Sequence, residues 1–198
     1  LYGCANPSGK LAESWPYRYE DVPSSELYGK TADALYQEGL YVGYRYYDKA
    51  GVPVRWPFGY GLSYTKFTYS NLTLSGDTVF VTVKNTGSIA GAEVVQLYVS
   101  SPEGRLDKPY QELVAYAKTK KLKPGQSEDV AVSFSIDQMA SYDEETAAWI
   151  WEKGSYIIRA GEHSRATKIA AVIRLKKESI CRKLENVLPL DCEMACIR

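Results

Sequence analysis

The sequence is very poor in histidine, with one residue, His163, in 198. Zinc sites, Ser–His–Asp triads and Cys–His pairs each require at least one positioned imidazole. His163 lies in the polar stretch "GEHSR", which is typical of an exposed turn. We therefore expect a solvated loop residue there, neither a catalytic group nor a metal ligand.

An excess of one charge and long apolar runs are also missing. Lys and Arg total 24, and Asp and Glu total 24, so nothing favours nucleic acid or an anionic membrane as a partner. Apolar stretches such as Ile169 to Ile173 are far shorter than the roughly 20 residues that span a bilayer. The chain opens "LYGCANPSGKL", without Met and without a visible signal peptide, so Leu1 is expected to follow a cut inside a longer chain.

The sequence has few cysteines, and all of them lie near its two ends: Cys4, Cys181, Cys192 and Cys196. A disulfide framework would distribute them through a small secreted domain. Cys192 and Cys196 have no His or further Cys nearby to complete a zinc set. The pattern therefore favours reduced thiols, a cytoplasmic location and no metal. Because glycine-rich phosphate loops are absent as well, no cofactor is expected.

Four regions differ in texture. Residues 1–47 mix Pro- and Ser-rich loops with short apolar pieces and end in a strand-like stretch, Leu40 to Tyr47. Residues 48–65, called the connector below, concentrate aromatic rings between glycines and prolines, which disfavours a regular helix or strand. Residues 66–175 are rich in Val, Ile, Tyr and Phe. Residues 176–198 form a charged tail that could either add one more edge strand or run back along a neighbouring domain.

The third region contains seven short runs separated by Gly, Pro, Asn and Ser turns. They read "FTYSNLTLS", "TVFVTVKN", "AEVVQLYVS", "QELVAYAK", "SEDVAVSFS", "GSYIIRAG" and "ATKIAAVIRL". In the second run Val79, Val81 and Val83 share one face, and this period of two predicts one buried face in each strand. Seven such strands predict a mainly β, immunoglobulin-like sandwich, and the lack of a Cys–Trp–Cys pattern favours the fibronectin type III variant.

The third run alternates in the same way. Val95, Leu97 and Val99 point to one side, whereas Gln96 and Tyr98 point to the other. The same rule predicts that only one of these two faces is buried.

Carboxylates occur in pairs, but not in a catalytic arrangement. Asp143, Glu144 and Glu145 are adjacent, as are Glu20 and Asp21. Glycoside hydrolysis needs two carboxyl groups that face each other across a sugar, roughly 5 to 9 Å apart. Neighbouring loop residues do not meet that requirement, so we expect solvated turn charges and no catalytic pair.

Trp149 and Trp151 alternate in "AWIWEKG" and can share one face of an extended segment. If both were exposed and coplanar they would form a sugar-stacking platform, as in a carbohydrate-binding module. Burial in the core or in a domain contact is the favoured alternative, because a Trp side chain buries about 150 to 250 Å².

Five stretches resemble the β-glucosidase family, glycoside hydrolase family 3. The longest, "YQEGLYVGYRYYDKAGVPVRWPFGYGLSYTKF" (Tyr36 to Phe67), resembles the junction that leaves the second catalytic-core domain of that family. Upstream, "NPSGKLAESWP" resembles a loop of its α/β-sandwich domain. Downstream, "VVQLYVSSP", "LKPGQS" and "WIWEKGSYIIRAGEHSR" resemble its fibronectin-like domain in order and spacing. The likeness covers about Asn6 to Leu175.

The resemblance implies a division of the chain and a parent activity. Residues 1–47 would be the end of an α/β-sandwich domain, 48–65 the connector, and 66–175 the fibronectin-like sandwich. The parent would be a retaining β-glycosidase acting on terminal β-D-glucosyl or related residues, with its (β/α)8 barrel and α/β-sandwich domain as the missing partners. Whether the barrel precedes or follows this piece stays open.

No catalytic or substrate-binding residue can be carried over from that family. Its nucleophile lies in an Asp-Trp context that is absent here, and its Lys-His motif is absent because Glu162 precedes His163. A barrel alone takes roughly 250 residues, more than the whole chain. The chain by itself is therefore expected to be inactive.

The resemblance gives the connector a structural role, filling the seam between the sandwich and the missing domains. Rings with a polar tip suit a contact that is apolar on one side and wet on the other, and the chain has 17 Tyr against 4 Phe. The residues predicted to make this domain contact are Tyr44, Tyr46, Tyr47, Trp56, Phe58, Tyr60 and Tyr64. A carbohydrate-binding or adhesion-type fibronectin-like module without catalysis is the alternative.

Overall fold

The computed structural model of the protein describes residues 3–27, 29–30 and 36–187. The expectations for Cys192 and Cys196, and for the last part of the tail, lie outside these residues. The strands are β1 (Trp15–Pro16), β2 (Val54–Trp56), β3 (Phe67–Ser75), β4 (Thr78–Asn85), β5 (Val94–Ser100), β6 (Glu112–Lys118), β7 (Ser127–Ser133), β8 (Ser141–Asp143), β9 (Ala148–Trp151), β10 (Gly154–His163), β11 (Ala166–Leu175) and β12 (Ser179–Lys183). One α-helix, α1 (Tyr44–Lys49), and two 3-10 turns, Tyr19–Asp21 and Ile136–Met139, are the helical elements of the described chain.

Two antiparallel sheets form the sandwich. Strands β3, β4 and β7 make one sheet in that order, and the other has the order β11, β10, β5, β6. The hairpin between β3 and β4 has a two-residue turn that begins at Gly76, whose φ of 61° is accessible to glycine at little cost. All seven predicted strands are present, which confirms the mainly β, fibronectin-like fold.

The core lies between the two sheets. Val79, Val81 and Val83 of β4 are fully buried, as the alternation predicted. They pack against inward side chains of the opposite sheet, among them Leu97 and Ile158, each with 0% of its surface exposed. The outward neighbours in β4 remain accessible, so this strand has one wet face.

The expectation of one buried face per strand is wrong for β5. Gln96 and Tyr98, on the side away from the core, are 3% and 0% exposed. A second layer of chain covers this side of the sheet, and alternation within one strand carries no information about such a layer.

The strand-like stretch from Leu40 to Tyr47 is also not a strand. The chain turns at Gly43, whose φ is 61°, and continues as α1. Tyr and Val favour strands as residue types, but contacts made by Tyr44 and Tyr47 with the sandwich override this preference.

A third, small sheet is formed by β12, β9 and β8 in that order. It confirms that the tail adds an edge strand, because β12 pairs with β9 in antiparallel register. Asp143, the last residue of β8, is only 1% exposed and accepts a hydrogen bond from Arg105 at 2.7 Å. The expectation of a solvated Asp143 is therefore wrong, whereas Glu144 and Glu145 are exposed.

No helix of the described chain is long and apolar enough to cross a membrane.

Candidate protein-interaction face of the connector

Aromatic rings of the connector and α1 form the second layer over β5. The rings of Tyr44 and Phe58 stack with centroids 4.4 Å apart, and Tyr44 meets Tyr98 edge-on at 6.3 Å. The Tyr44 hydroxyl accepts a hydrogen bond from the Leu113 amide at 2.8 Å, and burial raises the pKa of Tyr44. These rings hold the connector to the outer face of the sheet.

A polar anchor lies beside the rings. Gln96 Nε2 donates to the carbonyl oxygens of Gly59 at 3.0 Å and Glu162 at 2.7 Å, and Gln96 Oε1 accepts from the Tyr98 hydroxyl at 2.6 Å. Gly59 has a φ of 80°, and a Cβ atom there would lie 2.0 Å from Gln96 Oε1. The close approach therefore requires glycine at position 59.

Arg165, in the turn between β10 and β11, fixes the segment after α1. Its Nε donates to Asp48 Oδ1 at 2.8 Å, and its guanidinium also donates to the carbonyls of Tyr47 at 3.1 Å and Val52 at 2.8 Å. A guanidinium can serve several acceptors at once because it has five N–H donors in a fixed plane. Arg165 therefore joins the sandwich to α1 and to the start of the connector.

The N-terminal segment packs on the other side of the connector. Leu11 exchanges backbone hydrogen bonds with Gly59 and Tyr60 at 2.9 and 2.8 Å. Asn6 Oδ1 accepts from the Tyr64 amide at 2.7 Å. Lys10 forms an ion pair of 2.6 Å with Glu93, and both side chains are mostly buried. The "NPSGKL" stretch is thus held to the sandwich through the connector.

His163 is not the solvated loop residue that its neighbours suggest. It is half-buried at the end of β10, with its ring 5.8 Å from that of Tyr60. Nδ1 accepts a hydrogen bond from the Arg165 amide at 3.2 Å. Burial, together with the nearby positive charge of Lys10, lowers the pKa of His163, so the neutral imidazole is favoured. Its role here is structural packing.

An open apolar groove of about 490 Å³ runs between the N-terminal segment and the connector. The side chains that line it are Pro7, Lys10, Leu11, Trp15, Trp56, Tyr60 and Leu62. Trp15 and Trp56 meet edge-on at 5.5 Å, yet Trp15 keeps 47% and Leu62 71% of its surface exposed. Contiguous exposed apolar surface of this kind marks interaction sites.

The seven residues predicted to contact missing domains divide between two roles. Tyr44, Tyr47 and Phe58 pack within the chain, whereas Trp56 and Tyr60 line the groove. Tyr46 packs edge-on against Tyr47, and Tyr64 is half exposed. The contact with further domains stays a prediction. Sequence reasoning missed Trp15 and Leu62 as groove residues, although Trp15 lies within the "NPSGKLAESWP" stretch that marked this segment.

The buried carboxylates of the described chain are neutralised by cations. Arg105 binds Asp143 and thereby lowers the pKa of that carboxyl. Burial by itself would raise the pKa of Glu152, but the hydrogen bond and charge of Lys108, together with backbone hydrogen bonds from Arg105 and Leu106, outweigh it and the pKa is lowered. Both groups are held as anions, which suits ion pairing and not proton donation. The described residues contain no cluster of three His, Cys, Asp or Glu side chains that could hold a metal.

The tryptophans of β9 do not form the flat platform of the alternative hypothesis. Trp151 packs against the sandwich core, and its Nε1 donates to the Ile136 carbonyl at 3.3 Å. Trp149 is 39% exposed and leans on Tyr142 with ring centroids 5.5 Å apart. Core packing therefore accounts for Trp151.

Comparison with known proteins supports the assignment of the sandwich. Residues 93–164 match the model of the fibronectin type III-like domain family. These residues begin just before β5 and reach the turn after β10, so the match covers the strands that carry the connector. The chain thus contains a fibronectin type III-like domain.

Longer proteins match most of the chain. A probable β-glucosidase K of Emericella nidulans is 40% identical over 89% of this chain and 21% of its own length. The solved β-glucosidase 3B of Thermotoga neapolitana is 43% identical over 89% of this chain and 26% of its own, with a TM-score of 0.82. The solved GH3 β-glucosidase of Bifidobacterium adolescentis is 35% identical over 96% of this chain and 28% of its own, with a TM-score of 0.77.

Over most of its length the chain is therefore homologous to one region of the β-glucosidases of glycoside hydrolase family 3. It spans about a fifth to a quarter of the length of the relatives that it matches.

Proposed function

We propose that the chain is a structural, non-catalytic region of a retaining β-glucosidase, which cleaves terminal β-D-glucosyl residues with groups outside these 198 residues. The proposal rests on two observations taken together. The match covers about nine tenths of this chain but only a quarter of a solved β-glucosidase. The connector carries an apolar groove that is open to solvent. The proposal includes that the chain by itself is inactive and that it lies in the cytoplasm. It also includes the domain boundaries at residues 47, 65 and 175.

Retaining hydrolysis needs two carboxyl groups about 5 to 5.5 Å apart, one as nucleophile and one as acid and base. Asp143 and Glu152 are each bound to a cation that lowers the carboxyl pKa. Asp48 is likewise bound to Arg165. A general acid requires the opposite environment, one that raises the pKa of its carboxyl. These features support an inactive piece.

The groove is the face on which the rest of the longer polypeptide docks. Trp15, Trp56 and Leu62 offer apolar surface. Of the two cations beside it, Lys10 is paired with Glu93, and the Arg55 guanidinium lies 4.6 Å from the centre of the Trp56 ring. The complementary surface is therefore expected to present apolar side chains. Large aromatic residues at the centre of such contacts commonly contribute about 2 kcal/mol or more each.

A chimera tests the proposal. Residues 6–175 replace the matching region of the Thermotoga neapolitana β-glucosidase 3B, and turnover of an aryl β-D-glucoside is measured for the chimera and for the isolated chain. We expect hydrolysis by the chimera and none by the chain. Turnover by the isolated chain that disappears on replacing one of its carboxylates would refute the structural role.

Two tryptophan variants then locate the docking face. Trp56→Ala should lower the thermal midpoint of the chimera more than that of the isolated chain, because only the chimera fills the groove. Trp149→Ala is the matched control, since Trp149 is 39% exposed but lies outside the groove. It should affect both proteins equally. Equal effects of Trp56→Ala on both proteins would mean that the groove is not the docking face.

A further inference from the structure

A second concave region lies away from the groove, on the outer face of the four-stranded sheet. Two adjoining cavities of about 790 and 410 Å³ share Arg159 and Tyr110 in their linings. The sheet supplies the side chains of Ser100 and Ile157, and the loop between β5 and β6 forms the wall. We call this region the Arg159 cleft. Its dimensions fall in the range of small-molecule sites.

Among the described residues Arg159 has no carboxylate partner, whereas two of the three other cations that line the cavities do. Arg165 is paired with Asp48, and Lys108 with Glu152. The half-buried Arg159 donates through Nε to Ser100 Oγ at a long 3.4 Å, and its guanidinium lies 5.7 Å from the centre of the Tyr110 ring. Since a guanidinium has five donors, most of its capacity within the described structure is unused.

Side chains with hydroxyl groups line both cavities. Ser100 and Ser155 line the larger cavity, and Ser164 and Thr167 line the smaller one. Ser164 has only 3% of its surface exposed, and its Oγ has no hydrogen-bond partner among the described residues. Because this Oγ atom is closed off from solvent, the lining hydroxyl groups available to a ligand are those of Ser100, Ser155 and Thr167.

The charged side chains around the cleft determine which net charge of a ligand fits best. When the paired groups are set aside, Lys49 and Arg159 remain as cations, with Asp107 and Glu103 as the nearby anions. These two carboxylates disfavour a dianion such as phosphate. A single carboxylate fits better, because its two oxygens match the fork of a guanidinium.

We propose that the Arg159 cleft binds a sugar acid, with the carboxylate on the Arg159 guanidinium and the hydroxyl groups among the serine and threonine side chains. The half-exposed ring of Tyr110 offers an apolar face to the sugar. The cleft is separate from the apolar groove, so this binding goes beyond the structural role and does not depend on it.

Titration of the 198-residue chain with D-glucuronate, followed by NMR of the backbone and arginine side chains, tests the proposal. D-Glucose and acetate are the two comparison probes, because each carries one half of the proposed chemistry. We expect glucuronate to bind more tightly than either and to shift the resonances of Arg159 and Tyr110. Loss of a charge-assisted hydrogen bond in Arg159→Gln should weaken glucuronate binding at least about tenfold.

Arg174→Gln is the matched control. Arg174 lies on the same outer face, donates through Nε to Ser155 Oγ at 3.4 Å, and lines neither cavity. This variant should bind glucuronate like the parent chain. If Arg159→Gln does not fold, Thr167→Val gives the second readout, because Thr167 lines the smaller cavity, and it should weaken glucuronate but not acetate. The proposal fails if glucuronate does not bind, if acetate or glucose binds as tightly, or if both arginine variants weaken binding equally.

Discussion

Gly59→Ala is the substitution that tests the attachment of the connector to β5 most directly. The new Cβ would lie 2.0 Å from Gln96 Oε1 and 2.9 Å from Gln96 Nε2, far inside van der Waals contact. Because Gln96 is 3% exposed, its amide has little room to move. The substitution should therefore break the hydrogen bonds that Gln96 makes with Gly59, Glu162 and Tyr98.

The size of the effect follows from these contacts. Each net hydrogen bond contributes about 0.5 to 1.5 kcal/mol, and a left-handed residue other than glycine costs about 1 to 2 kcal/mol. The free energy of unfolding should fall by roughly 3 to 5 kcal/mol in total. For a chain of this size that corresponds to a fall of about 10 °C in the thermal midpoint. Urea unfolding followed by tryptophan fluorescence measures the difference.

Gly51→Ala is the control in the same connector. Gly51 has a φ of 66°, close to the 80° of Gly59, but no heavy atom lies within 4 Å of the Cβ that it would gain. Its substitution should cost only the conformational part, about 1 kcal/mol. If both variants lose the same stability, the hydrogen bonds of Gln96 do not contribute to stability, and they do not attach the connector to β5.

Three further predictions concern charges and rings. Lys10→Met should lower the free energy of unfolding by about 3 kcal/mol, because it leaves Glu93 buried without its cation. Arg45→Met breaks the pair with Glu112, in which both side chains are 37% exposed, and should cost less than about 1 kcal/mol. Urea unfolding of both variants measures the difference, and equal losses would contradict it. Since the folded state lowers the pKa of His163, the parent chain should lose stability as the pH falls from about 6.5 towards that lowered pKa, and His163→Gln should remove this part of the pH dependence in unfolding measured between pH 7.5 and 5. A slope unchanged in His163→Gln would exclude the histidine as its source. Trp151→Phe should destabilise the chain more than Trp149→Phe, because only Trp151 packs against the core, and thermal unfolding of the two variants measures the difference.

The sandwich itself could be predicted from the sequence because its information is local. Alternating residues such as Val79, Val81 and Val83 report the buried face, and glycine, proline and asparagine report the turns between strands. Strands β3, β4 and β11 have the predicted limits. Strand β8 of the third sheet was not predicted, because a run of three residues has too little periodicity to detect.

The errors at the site share a different cause. The sequence predicts Asp143 and His163 to be exposed because their neighbours are polar, and it places Gln96 on the face opposite Val95 and Leu97. Their burial depends on partners far along the chain: Gly59 for Gln96, and Arg105 for Asp143. A single sequence does not show such pairings, so the polar anchors of the connector could not be found before the structure.

The abundance of tyrosine has a physical explanation inside this chain. Tyr41, Tyr98 and Tyr156 are almost fully buried, and their hydroxyl groups donate to Asp107, Gln96 and the Glu152 carbonyl. Burial also raises the pKa of Tyr156 to about 12, which keeps this phenol a donor at any physiological pH. A tyrosine excess is therefore not by itself a sign of missing domains. The stronger sign is the pair Trp15 and Trp56, whose rings meet edge-on in a groove that remains open to solvent. Apolar rings that stay partly open to solvent are therefore the ones for which we predict a further partner surface.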